Sequence, residues 1–166
     1  MNFDRVDQCL QRYVDKQILP GVSYAVLLNG QLIHSQCVGF SDIAAKTALR
    51  NDHLFRVMSN TKLVTTCAVL MLIEDGLIGI DDPIEAFLPA LANRRVLAPN
   101  ATNISDATVA QHAITIRHLL AHSSGLSYGL FDPGTALYKA YQEHKVLNAH
   151  KTLKEMVEIL EGLPLK

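Results

Sequence analysis

Leu54-Phe55-Arg56-Val57-Met58-Ser59-Asn60-Thr61-Lys62 runs straight into Leu63-Val64-Thr65-Thr66-Cys67-Ala68-Val69-Leu70-Met71-Leu72-Ile73, and this stretch decides the fold. The pattern predicts a helix from about Ser59 to Asp75, stopped by Gly76. No charge falls on any face of it between Lys62 and Glu74. A helix apolar all round is suited to burial on every side, so other elements are expected to wrap it. Ser59 and Lys62, at i and i+3, share one face of its first turn. A serine hydroxyl is a poor nucleophile alone and needs a base within hydrogen-bond reach. A lysine can be that base if desolvation and neighbouring positive charge favour its neutral form. The start of the helix adds backbone N–H donors and a positive dipole end beside the serine. Eight serines and eight lysines give about 0.4 chance occurrences of S-x-x-K, so the apolar helix behind the motif is what gives it weight.

Upstream, Val6, Leu10, Tyr13, Val14 and Ile18 form one stripe at helical spacing over Phe3 to Leu19, and Pro20-Gly21 ends it. Val22 to Leu28 and Gln31 to Val38 are β-prone runs separated by Asn29-Gly30. This is a hairpin signal, because a type I′ turn needs positive φ at both central residues. A polar stretch, Ser41 to Asp52, follows. Downstream, Asp82-Pro83-Ile84-Glu85 predicts an N-cap, a first-turn proline and a capping-box glutamate on a short helix to about Leu88. Leu91 to Ala113 reads as irregular, and its two N-x-S/T sequons as accidental. Thr115 is expected to cap a short helix through His122. A last helix starts at Thr152, with Glu155 three residues on, and ends near Gly162.

The composition narrows the function classes. The chain has 166 residues and 18.3 kDa, 49% hydrophobic and 19% charged, which excludes intrinsic disorder. A chain of this size buries roughly 70% of its unfolded surface. A net charge of −1 offers no electrostatic footprint for nucleic acid. The longest uncharged apolar stretch, Leu63 to Ile73, is far short of the ~20 residues of a membrane span. The first residues carry no basic-then-apolar leader, which favours a cytoplasmic location. Cys9, Cys37 and Cys67 are too widely spaced for a disulfide framework or a zinc site and read as buried free thiols. No metal or cofactor is implied.

Two other motifs compete with Ser59 and Lys62. Gly125-Leu126-Ser127-Tyr128-Gly129 spells G-x-S-x-G, the nucleophile elbow of α/β-hydrolases, which needs a strand before the serine and a helix after it. Here a helix precedes it and the turn sequence Leu130-Phe131-Asp132-Pro133-Gly134 follows, so Ser127 reads as a loop serine. His118 and His122 have metal-ligand spacing on a helix but no glutamate between them and no evident third ligand. They read as structural histidines favoured by a helix C-terminal dipole.

The blocks Leu54 to Lys62, Met71 to Gly76 and Asp81 to Pro89 resemble the serine β-lactamase-related family. That family includes class C β-lactamases, D-alanyl-D-alanine carboxypeptidases and β-lactamase-like esterases. Pro20-Gly21 with its hairpin, Ile114 to Leu126, and Leu163-Pro164-Leu165 agree with it and fall in the family's order. The long 91–113 stretch and the Gly-Leu-Ser-Tyr-Gly loop are most similar to the esterase branch. The resemblance implies an α/β fold of the α+β type, the N-terminal part of the β-lactamase/transpeptidase-like fold. Residues 1–52 would supply a helix and an antiparallel hairpin, and residues 53–166 the start of a helical part carrying the S-x-x-K helix.

It also implies Ser59 as the acylated nucleophile and Lys62 as its proton acceptor or relay, with an oxyanion held by backbone N–H groups. The expected partner is a small-molecule ester or lactam, with esters favoured, and oligomeric state stays open. The family's Y-x-N or S-x-N motif and its later K-T-G or H-x-G strand occur nowhere in the sequence. The expectation is therefore the N-terminal part of a roughly twice longer serine hydrolase, inactive and unstable as this piece alone. The alternative is a non-catalytic binding or scaffold protein that keeps the fold without the chemistry.

Overall fold

Asn29 and Gly30 take φ values of 51° and 77°, and the hairpin expected around them forms in the computed structural model, which describes residues 2–166. Strands β1 (Gly21–Leu28) and β2 (Gln31–Asp42) pair antiparallel, Gly21 opposite Gly39 and Leu28 opposite Gln31. A two-residue strand β3 (Thr47–Ala48) adds to the far edge of β2, within the stretch read as merely polar. Helix α1 (Asp4–Asp15) packs on this sheet, shorter than the Phe3–Leu19 stripe. These elements belong to the first of two compact units, which divide between Met58 and Ser59.

No residue of α1 is fully buried, and a polar cluster joins the helix to the sheet. Tyr24 Oη donates to Asp7 Oδ1 at 2.6 Å, His34 Nε2 lies 3.2 Å from the same oxygen, and Phe3 stacks on the His34 ring at 4.6 Å. The Tyr24 hydrogen bond holds the Asp7 carboxyl below the usual carboxylate range, and the His34 contact adds to this. Tyr24 is pushed up to about 12, first by desolvation and then by its bond to Asp7. A carboxyl depressed in the fold contributes stability that is present above its unfolded pKa, about 3.9, and is lost as pH falls through the folded value. The melting temperature of the full-length protein should therefore fall more steeply below about pH 4 in wild type than in Asp7→Asn. Parallel curves would remove Asp7 from the acid response.

The second unit, Ser59–Lys166, opens with a 3-10 turn (Met58–Asn60, straddling the division) and helix α2 (Thr61–Glu74). The sequence places the end of α2 correctly. Gly76 sits at φ 69°, its N–H donates to Ile73 O, and Leu77 N–H reaches Leu72 O, so orphan carbonyls of the last turn are satisfied. The expected burial is not met. No residue of α2 is buried, and Leu63 and Val64 are 69% and 71% exposed. An all-round apolar pattern states which surroundings suit a helix; the described residues do not supply them.

The buried core lies elsewhere, among Ile84, Leu91, Ile114, Leu137, Tyr141, Leu160 and Leu165 with their neighbours. Asp82 does not cap a helix with Glu85. Its carboxylate accepts the Gly79 N–H at 2.6 Å, Pro83 is extended and bridges to Thr115, and only a 3-10 turn (Ile84–Ala86) follows. A further 3-10 turn (Pro89–Leu91) precedes strand β4 (Arg95–Leu97). The supposedly irregular 91–113 stretch in fact pairs β4 with β5 (Ala107–Val109), antiparallel. Helix α3 (Ile116–Leu120) begins at the expected Thr115 cap but is shorter than predicted. Helix α4 (Ala136–Glu143), capped by Thr135, was not evident from the sequence. Helix α5 (Leu153–Glu161) starts with the predicted Thr152–Glu155 capping box. Leu165 then runs parallel to β4, exchanging bonds with Arg95 O and the Leu97 N–H.

The cysteines are free but not buried: Cys9 and Cys37 are half-buried and Cys67 is exposed. No helix among the described residues is long and apolar enough to cross a membrane. The bare apolar wall of α2 carries a prediction for the 166-residue polypeptide itself. It should bind a hydrophobic dye strongly and melt without a sharp cooperative transition. A steep, dye-free melt would show that this wall is covered.

Candidate active site

Ser59 lies in the 3-10 turn immediately before α2, and Lys62 in the first turn of the helix. The short interval between them brings the two side chains together. Lys62 Nζ stands 3.1 Å from Ser59 Oγ, within hydrogen-bond reach. The residue before the serine, Met58, has φ 46°, a left-handed conformation that costs a non-glycine residue energy. The Asn60 side chain makes no capping bond, so the first N–H groups of α2 carry no side-chain cap. Ser59 is exposed and Lys62 half-buried. The desolvating wall expected around the lysine is therefore absent among the described residues.

One neighbour of Lys62 was not anticipated from the sequence. The Tyr128 ring centroid lies 5.5 Å from Nζ, and Phe131 meets that ring edge-on at 6.4 Å. Tyr128 is far from Lys62 in sequence, and no periodicity or motif rule connects the two positions.

Among the described residues, no lysine or histidine is hydrogen-bonded to Ser127. Its N–H donates to Tyr141 Oη at 3.1 Å, and its Oγ lies 3.5 Å from the Gly129 N–H. It sits in a loop between α3 and α4, with no strand before it, as the turn-rich sequence predicts. A side chain at Gly129 would put its Cβ 2.5 Å from Tyr141 Cβ, and φ there is 62°. This glycine is thus required for close packing of the loop on α4. His118 is structural, but at the opposite helix end from the one expected. Its Nδ1 accepts the Thr115 N–H at 3.1 Å, completing a capping box at the N-terminus of α3. His122 lies just beyond the helix, exposed, at φ 54°. Among the described residues no three His, Cys, Asp or Glu side chains group as metal ligands.

The chain belongs to the beta-lactamase family, whose model matches residues 6–166. It is 34% identical to Protein Rv1367c of Mycobacterium tuberculosis over 142 residues, covering 86% of this chain and 35% of the relative. It is 30% identical to Esterase EstB of Burkholderia gladioli over 134 residues, 81% of this chain and 31% of the esterase. The structure superposes on EstCE1, a hydrolase with promiscuous acyltransferase activity, with a TM-score of 0.81 at 25% identity, covering 98% of this chain and 40% of that one. The fold is thus the β-lactamase/transpeptidase-like one, mixing helices and antiparallel strands. The chain spans about a third of the length of the curated relatives it matches.

Proposed function

We propose that the protein is a serine hydrolase working through an acyl-enzyme on small esters, with Ser59 as nucleophile and Lys62 as proton acceptor. The observation that carries this reading is the 3.1 Å approach of Lys62 Nζ to Ser59 Oγ at the head of α2. In the acylation step Ser59 Oγ bonds to the ester carbonyl carbon while its proton passes to the Lys62 amine. The carbonyl electron pair moves onto oxygen, where backbone N–H groups, the Ser59 N–H among them, oppose the developing charge. The alkoxide then leaves with the proton returned by Lys62, and water hydrolyses the acyl-serine. Within this reading residues 1–52 and 53–166 are two parts of one catalytic domain, the second carrying the nucleophile.

Esters are favoured over lactams and D-alanyl amides because relatives named as an esterase and a hydrolase cover most of this chain. The test is turnover by the full-length protein of p-nitrophenyl butyrate and of a chromogenic cephalosporin. The expected result is a kcat/KM at least about a hundredfold higher for the ester. Cephalosporin hydrolysis with an inert ester would overturn the substrate class.

A further inference from the structure

We infer that the Gly125-Leu126-Ser127-Tyr128-Gly129 loop is a device that presents the Tyr128 ring to Lys62, making Tyr128 a positioning residue for acylation. The inference rests on the Ser59–Lys62 reading. It assigns a role to a motif whose serine the proposed chemistry leaves idle.

The loop is fixed at three points. Gly125 O accepts the Lys166 N–H at 2.8 Å, the Ser127 N–H donates to Tyr141 Oη at 3.1 Å, and Gly129 O accepts from Gln142 Nε2. Tyr141 is almost fully buried, so the oxygen that holds Ser127 is itself anchored in the core. Gly129 lies flush against that same side chain. The residues on either side of Tyr128 are thus tied to α4, and Tyr128 itself stands with its ring 5.5 Å from Lys62 Nζ, in a T-shaped pair with Phe131.

Lys62 gains its positive charge as it takes the Ser59 proton, and a cation within about 6 Å of an aromatic face is attracted by the ring quadrupole. A lysine head on a flexible four-carbon stem otherwise samples many rotamers. Ser59 is exposed and α2 offers no buried wall, so the contacts shown for Nζ among the described residues are Ser59 Oγ and this ring. The ring holds the forming ammonium near Ser59 Oγ, and proton transfer depends on that proximity. The interaction uses the ring face, so the tyrosine hydroxyl is dispensable.

The experiment is single-turnover acylation of full-length protein by an activated p-nitrophenyl ester, comparing wild type with Tyr128→Leu, Tyr128→Met, Tyr128→Phe and Ser127→Ala. Melting temperatures are recorded for each, and the exposure of Tyr128 means they should stay close to wild type. Loss of the ring should slow acylation about tenfold in both Leu and Met variants with KM nearly unchanged. Tyr128→Phe should stay within about twofold of wild type, and Ser127→Ala should match it. Wild-type rates in the Leu and Met variants would overturn the inference. So would a Phe variant as slow as these, because the hydroxyl would then be the working group. An unacylated Ser59 in the wild type overturns the nucleophile assignment, and this inference with it, an outcome distinct from the other two.

Discussion

Ser59→Ala in the full-length protein should lower ester turnover by at least about a thousandfold, because no other group can take over the bond-forming step. The fold should be indifferent to the change. Ser59 is exposed, and the N-cap position of α2 is Asn60, so Ser59 is not the capping residue. The cost in stability should stay within about 0.5 kcal/mol, as for an ordinary surface substitution. Lys62→Ala should also lose most of kcat while KM holds, since a proton acceptor acts in the transition state rather than in ground-state binding. Steady-state kinetics with circular dichroism of each variant reads both effects. Turnover that survives in Ser59→Ala would move the nucleophile elsewhere.

The largest effect on stability should come from Arg94→Ala. Arg94 is 5% exposed, the sole charged residue in the buried set among the described residues. Its Nη1 donates to Glu161 O at 3.0 Å and its Nη2 to Leu163 O. These carbonyls belong to the last turn of α5 and the segment just after it, where a helix leaves its acceptors unsatisfied. Desolvation holds the guanidinium below the ordinary arginine value, and Nε has no hydrogen-bond partner among the described residues. Burial therefore costs energy that the two charge-assisted bonds must offset. Truncation leaves the buried Leu163 carbonyl and the partly buried Glu161 carbonyl without this donor, and a void, which should cost about 3 kcal/mol. Arg94→Lys should recover only part, because lysine lacks the rigid planar fork whose separate Nη1 and Nη2 reach the two carbonyls. The contrast is Arg117, whose bidentate pair with Asp81 is exposed on both sides; Arg117→Ala should shift the midpoint far less, because solvent screens an exposed pair. Denaturant midpoints of the full-length variants make the comparison. A cost for Arg94→Ala no greater than that for Arg117→Ala would contradict the clamp.

What could be read from the sequence follows the reach of each interaction. Asn29-Gly30, Gly76, Thr115 and the Thr152–Glu155 pair act over one turn, and all four do locally what their chemistry dictates. The proximity of Ser59 and Lys62 is legible for the same reason, since an i, i+3 spacing brings their side chains together before any tertiary contact forms. The β4–β5 pair escaped notice because three-residue strands carry too few positions for alternation to register. Arg94 escaped because its acceptors lie 67 and 69 residues away, and an arginine beside a strand ordinarily reads as surface. The Asp82 cap predicted from sequence does not form, because a carboxylate before Pro-x-Glu satisfies the capping pattern equally well when it turns back to the Gly79 N–H. Tyr128 meets Lys62 only through a loop held on α4, a placement set by tertiary contacts alone.

The claim that Ser59 rather than Ser127 is the nucleophile is tested most directly by locating the adduct. Full-length wild type, Ser59→Ala and Ser127→Ala are treated with a serine-directed phosphonate, weighed intact and mapped by peptide mass spectrometry. The account predicts a single phosphonyl group on Ser59 in wild type and in Ser127→Ala, and none in Ser59→Ala. An adduct that persists in Ser59→Ala and disappears in Ser127→Ala would contradict it and make the G-x-S-x-G serine the reacting group.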